Sequence, residues 1–75
     1  MPKLPRPTGR DMLRFLERQG FTVLRVRSSH HFLEQGRHRT CVPVHGNRSL
    51  KIGTLRSILR DIDMHPADFE RLWNV

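Results

Sequence analysis

Apolar residues recur along this chain with two different periods, and the change of period marks its elements. Met12, Leu13, Phe15 and Leu16 share one face of a helix, with Arg10, Arg14, Glu17 and Arg18 largely outside it. Thr8 and Asp11 have the spacing of a short capping box, so the helix should start near Gly9. Gly20 stands where a C′ glycine would end it. Residues 21–27 are rich in β-branched and aromatic side chains and alternate in part, which predicts a first strand. Ser28-Ser29 is a turn or a bulge. Residues 30–34 read as a second strand, Gln35-Gly36-Arg37 as a tight turn, and residues 39–44 as a third strand with Thr40, Val42 and Val44 on one face. Pro43 cannot donate to a ladder, which puts this strand at an edge or ends it there. The helical period returns at Leu55, Ile58, Leu59 and Ile62, predicting a second helix over about residues 54–62. Arg56, Ser57 and Arg60 fall on its polar side. Asp63 and Met64 break the pattern. Pro66 suits the first position of a short third helix with Phe69, Leu72 and Trp73 as its apolar face.

The order is α-β-β-β-α with a small C-terminal helix. Hairpin-connected strands covered on one face by helices make an α+β two-layer domain, and the other sheet face is left free for a ligand. Residues 8–75 form the single domain. Residues 1–7 hold three prolines with Lys3 and Arg6, and read as a mobile extended tail. A chain of 75 residues buries only about 60% of its unfolded surface, so the core should be thin. A deep pocket for a large cofactor is not expected, and none is assigned.

Charge sharpens the picture. Twelve arginines and two lysines face seven acids, a net charge of +7. Residues 1–60 carry thirteen Lys/Arg against Asp11, Glu17 and Glu34, a balance of +10, whereas residues 61–75 carry Arg71 against four acids, a balance of −3. Between Gln35 and Arg60 there is no acid and there are six Lys/Arg. Such asymmetry is the footprint of a polyanion binder. An acidic partner protein fits the same surface. The lone cysteine, Cys41, excludes an intrachain disulfide and any zinc site that needs two cysteines. There is no signal-peptide pattern and no membrane-spanning stretch, which makes a cytoplasmic protein without membrane contact the expectation.

The candidate chemistry centres on the histidine pair His30-His31. Strand alternation sends His30 and Phe32 to one face, His31 and Leu33 to the other. Phe32 is expected in the core or at its margin, so the period alone does not say which histidine meets solvent. The plainest reading makes one histidine a hydrogen-bonded sheet residue and the other a surface residue. A metal site is the second reading, from His30, His31, His38, His45 and Cys41. Their spacing fits no compact zinc pattern, and the excess of arginine repels a divalent cation, so no metal is assigned. Cys41 lies mid-strand without an activating neighbour and reads as a packing residue. The third reading is metal-independent RNA cleavage. RNA carries its own nucleophile, the 2′-hydroxyl. An imidazole changes protonation near neutral pH and suits the removal and return of that proton, while arginine and lysine stabilise charge on phosphate.

Four segments, in order, resemble the HicA family of toxin–antitoxin mRNA interferases. A first helix ends at Gly20-Phe21. The basic strand Leu24-Arg25-Val26-Arg27 leads into Ser28-Ser29-His30-His31-Phe32, similar to the family's G-S-H-H-x-F. Val42-Pro43-Val44-His45 resembles its V-P-x-H. The run from Leu50 to Asp61 is close to its L-x-x-G-T-L-R-x-I-L-R-D. The resemblance covers roughly residues 10–70. It implies a double-stranded-RNA-binding-domain-like α-β-β-β-α fold, a three-stranded antiparallel sheet packed on helices. It implies endoribonuclease activity on mRNA and a HicB-type antitoxin that masks the active face, with a monomer when free. The family's catalytic histidine falls on His30. Arg27, Ser29, His31, His45, Lys51, Arg56 and Arg60 are the candidate RNA contacts. The chain departs from the family pattern twice. Ser28 stands where glycine is usual, which restricts a left-handed turn before His30, and Asp63 stands where glycine often ends the second helix. The competing readings are a non-catalytic double-stranded-RNA-binding module and a pure protein-interaction domain.

Overall fold

Thr8 caps the first helix, its side chain accepting from the Asp11 backbone N–H at 3.1 Å. The computed structural model describes residues 4–73. Within them run α1 (Gly9–Arg18), β1 (Thr22–Arg27), β2 (His30–Gln35), β3 (His38–Pro43), α2 (Ile52–Asp61) and α3 (Pro66–Trp73). This is the expected α+β order, a double-stranded-RNA-binding-domain-like α-β-β-β-α unit followed by one more helix. The strands form an antiparallel sheet in the order β1-β2-β3, so β2 is central and β3 lies at an edge, ending at Pro43.

Both major helices close in the same way. After α1, the Gly20 N–H donates to Glu17 O and the Phe21 N–H to Leu16 O; after α2, the Asp63 N–H donates to Arg60 O and the Met64 N–H to Leu59 O. These paired bonds define a Schellman closure, which needs a left-handed residue at C′. Gly20 supplies it at φ +99° and Asp63 at φ +55°. Four elements have boundaries one or two residues away from the sequence reading. β1 starts at Thr22 and β2 runs on to Gln35. β3 begins at His38 and stops at Pro43, where the missing N–H ends the ladder, although the Val44 N–H still donates to Ser29 O at 2.8 Å. α2 begins at Ile52, with Thr54 already inside its first turn; Lys51 at the N-cap makes no side-chain capping bond.

All apolar faces converge on one side of the sheet. Met12, Phe15 and Leu16 of α1, Leu33 of β2, Val42 of β3, Leu55, Ile58 and Leu59 of α2, and Phe69 of α3 are buried together with Phe21, Leu50 and Ile62. α1 approaches the end of β3 so closely that a Cβ on Gly9 would collide with Pro43 O and Val44 Cα. The second helix is tied to the sheet by the buried Thr40 hydroxyl, which donates to the Asp61 carboxylate at 3.0 Å. Met1, Pro2 and Lys3 of the expected tail lie outside the described residues. Of the remainder, Leu4 packs against the core, Pro7 is buried, and its carbonyl accepts from the Leu50 N–H at 2.8 Å.

Candidate active site

The helices leave the second face of the sheet open, and the strand register decides what stands on it. Cross-strand pairs run Arg27–His30–Pro43, Arg25–Phe32–Cys41 and Thr22–Glu34–Arg39. Residues directly opposite share a face. These three rows therefore form the outer face, while Val26–His31–Val42 and Val23–Leu33–Thr40 form the helix-facing side. Leu24 is the extra residue of a bulge between Val23 and Arg25, which is why β1 alternates only in part.

This register separates the histidines. His30 is exposed on the outer face beside Arg27. His31 points towards the helices with Leu33 and Val42, and its Nδ1 is buried with no hydrogen-bond partner among the described residues. Phe32 corrects the sequence expectation. It is not part of the buried core; it lies half-buried on the outer face with the Arg25 guanidinium 4.8 Å from its ring centroid. A cation over the ring is an adequate cover for an aromatic that the helices do not reach.

The turn before His30 has two residues, Ser28 and Ser29. Ser28 adopts φ +57°, the left-handed conformation that glycine would take without strain. The serine thus closes the same tight turn, and Arg27 remains paired with His30. Ser29 is held from the other side, its carbonyl accepting from the Val44 N–H.

The other candidates divide into two groups. Pro43, the cross-strand neighbour of His30, lines a cleft with His45, Arg48, Ser49, Leu50 and Lys51. His45 and Lys51 are thereby brought to the His30 end of the sheet, at the uncapped start of α2. Arg56 and Arg60 are not part of this cleft. They line a separate groove on α2 with Leu59, Met64 and Pro66. Arg25, Phe32 and Arg48 were not singled out from the sequence. Arg48 could have been found as the cation nearest His45-Gly46 in the acid-free stretch; Arg25 and Phe32 needed the bulge, which carries no strong sequence signal.

The remaining chemistry is quiet. Burial pushes the Cys41 thiol above its ordinary range, and the Asp61 carboxylate adds to the shift, so the nucleophilic thiolate is disfavoured. Among the described residues, no three or more His, Cys, Asp or Glu side chains gather into a metal-binding group.

The family model described as the HicA toxin of bacterial toxin–antitoxin systems matches residues 9–64, most of the chain. The chain belongs to the HicA toxin family. It is a toxin of that kind, and a HicA toxin has an antitoxin as its partner. The match runs from the first residue of α1 to the Schellman closure of α2 and stops before α3. No curated protein matches the chain. No helix among the described residues is long and apolar enough to cross a membrane.

Proposed function

We propose that this HicA-family toxin is a metal-independent endoribonuclease that cleaves mRNA in the cytoplasm and is neutralised by a HicB-type antitoxin. The observation that carries the reading is the placement of His30. It stands exposed on the uncovered face, across a two-residue turn from Arg27, at the position that matches the family's histidine motif. In the reaction, His30 removes the proton of an RNA 2′-hydroxyl. The 2′-oxygen attacks the adjacent phosphorus, the bond from phosphorus to the 5′-oxygen breaks, and the protonated imidazole returns its proton to that leaving oxygen. The products are a 2′,3′-cyclic phosphate and a 5′-hydroxyl, and the enzyme is unchanged. Arg27 is the nearest cation in the register to stabilise the extra charge on phosphate, and His45 and Lys51 hold the backbone from the cleft beyond Pro43. Ser29 fixes the turn through its backbone. His31, on the opposite side of the strand, supports His30 by packing. Arg56 and Arg60 extend the basic surface along α2.

His30→Ala is expected to lower RNA cleavage by at least ~10²-fold and to abolish growth arrest, with the circular dichroism spectrum unchanged. Cleavage by the unaltered protein should persist in EDTA. Full activity of the variant, or loss of activity with the chelator, contradicts the mechanism. The fold order alone would also suit a non-catalytic duplex-RNA-binding module. That reading requires RNA binding without any cleavage product, and the same assay decides it.

A further inference from the structure

The outer face carries a second group of residues, which the histidine mechanism does not use. Arg25 and Phe32 form the row next to Arg27 and His30, and with Leu24, Leu33, Arg39 and Thr40 they line a pocket of about 170 Å³. Folding does not require an aromatic here, because the core lies wholly on the other side of the sheet. The charge of the face is one-sided. Arg25, Arg27 and Arg39 stand against Glu34 alone, and Glu34 is already paired with Arg39 at 3.3 Å.

We propose that this face binds single-stranded RNA, with one nucleobase stacked on the Phe32–Arg25 platform a single row from His30. The inference rests on RNA being the substrate, and it specifies which RNA. A flat ring under a guanidinium offers stacking to any base, since every base has a π-face. A base inside a duplex is already stacked on its neighbours, and an A-form helix shows a protein mainly its 2′-hydroxyls and phosphates. Only an unpaired nucleotide can therefore reach Phe32. Two residues along one strand separate Phe32 from His30, about 6.6 Å, so a nucleotide held on the platform sets the adjoining sugar and phosphate beside the imidazole. Arg27, in the neighbouring row beside His30, faces that backbone, while Arg25 stays over the Phe32 ring as part of the platform. The substrate class is thus unpaired mRNA, chosen by accessibility of its bases more than by their sequence.

The test uses the full chain carrying His30→Ala, so that binding is read without cleavage. The probes are a single-stranded RNA oligonucleotide containing 2-aminopurine and a blunt duplex of the same sequence. The single strand is expected to bind more tightly than the duplex, with its 2-aminopurine fluorescence quenched by stacking. Adding Phe32→Leu should weaken single-strand binding roughly tenfold and remove the quench. The dependence on salt should stay the same, because no phosphate contact is lost. Phe32→Trp, which keeps a stacking plane, should retain both binding and quench even if the leucine variant folds poorly. Arg27→Ala should reduce the salt slope by about one and leave the quench in place. Unchanged affinity and quench in a folded Phe32→Leu protein, or duplex binding as tight as single-strand binding, overturns the proposal. A His30-dependent nuclease indifferent to Phe32 would overturn this inference alone. A protein that neither binds nor cleaves RNA would overturn the nuclease reading with it.

Discussion

Two side chains sit in backbone conformations that favour glycine, and each stands at a junction the fold depends on. Ser28 at φ +57° turns β1 into β2, and Asp63 at φ +55° closes α2. A left-handed conformation costs an ordinary L-residue roughly 1–2 kcal/mol, less for Asp, and glycine avoids it at some expense in unfolded-state entropy. Ser28→Gly should therefore raise stability by about 1 kcal/mol, seen in thermal melts as an increase in Tm of roughly 4–8 °C. Asp63→Gly should give a smaller gain. An unchanged or lower Tm for Ser28→Gly would mean that the serine side chain returns the cost through a bond of its own. At this scale the sequence was informative about identity and less so about direction. The pattern placed His30 and His31 on opposite faces, but with Phe32 expected in the core or at its margin either histidine could have been the outer one. The ambiguity lies in β2 itself, where both alternate sets contain an apolar residue, Phe32 in one and Leu33 in the other. Only the position of the helices, buried against Leu33, resolves it.

The elements were legible because their ends are written in local chemistry. Thr8, Gly20, Pro43 and Pro66 each act within a few residues, so a cap, a closure, a strand end and a helix start follow from spacing alone. The tie between β3 and α2 is not local and was not legible. Thr40 reads as an ordinary strand residue and Asp61 as the last charge of a polar helix face, yet one caps the other across 21 positions at 3.0 Å. Removing the carboxylate with Asp61→Ala leaves the buried Thr40 hydroxyl without its acceptor, which should cost about 1–3 kcal/mol in urea denaturation. Thr40→Val in the same chain should recover part of that loss, a coupling of at least ~0.5 kcal/mol. There is an independent readout. Asp61 adds to the upward shift of the Cys41 thiol, so Asp61→Ala should bring the thiol down and speed its alkylation at a fixed alkaline pH. Burial, the larger cause, remains in the variant, so the thiol should still titrate above its ordinary value. Additive stabilities together with unchanged alkylation would show that the Thr40–Asp61 bond carries little energy.

For the whole molecule, the division of labour between faces sets where mutation is tolerated. The basic outer face needs little packing, whereas the helix-facing side gathers every fully buried side chain into one small core. α3 lies beyond the matched family segment, but it completes that core. Phe69 packs edge-on against Phe15 at 5.0 Å with their planes at 87°, and Trp73 leans on both at 5.6 and 5.4 Å. Truncating a buried phenylalanine costs about 3–5 kcal/mol. At ~0.05–0.15 kcal/mol per residue, a domain of this size holds only about 4–11 kcal/mol in total. Phe69→Ala should therefore leave the chain close to its unfolding midpoint, and it should lose toxicity even though none of its changed contacts is on the His30 face. A folding defect of this kind predicts its own rescue. A partner that binds only the native form adds RT ln(1 + [L]/Kd), about 4 kcal/mol at a thousandfold excess over Kd. Co-expression with the antitoxin should restore soluble, folded Phe69→Ala protein, and releasing the antitoxin should let it unfold. His30→Ala should behave oppositely, remaining folded and non-toxic with or without the partner. Toxicity retained by Phe69→Ala would show that α3 is dispensable, and that the core of α1, α2 and the sheet is sufficient to hold the outer face in register.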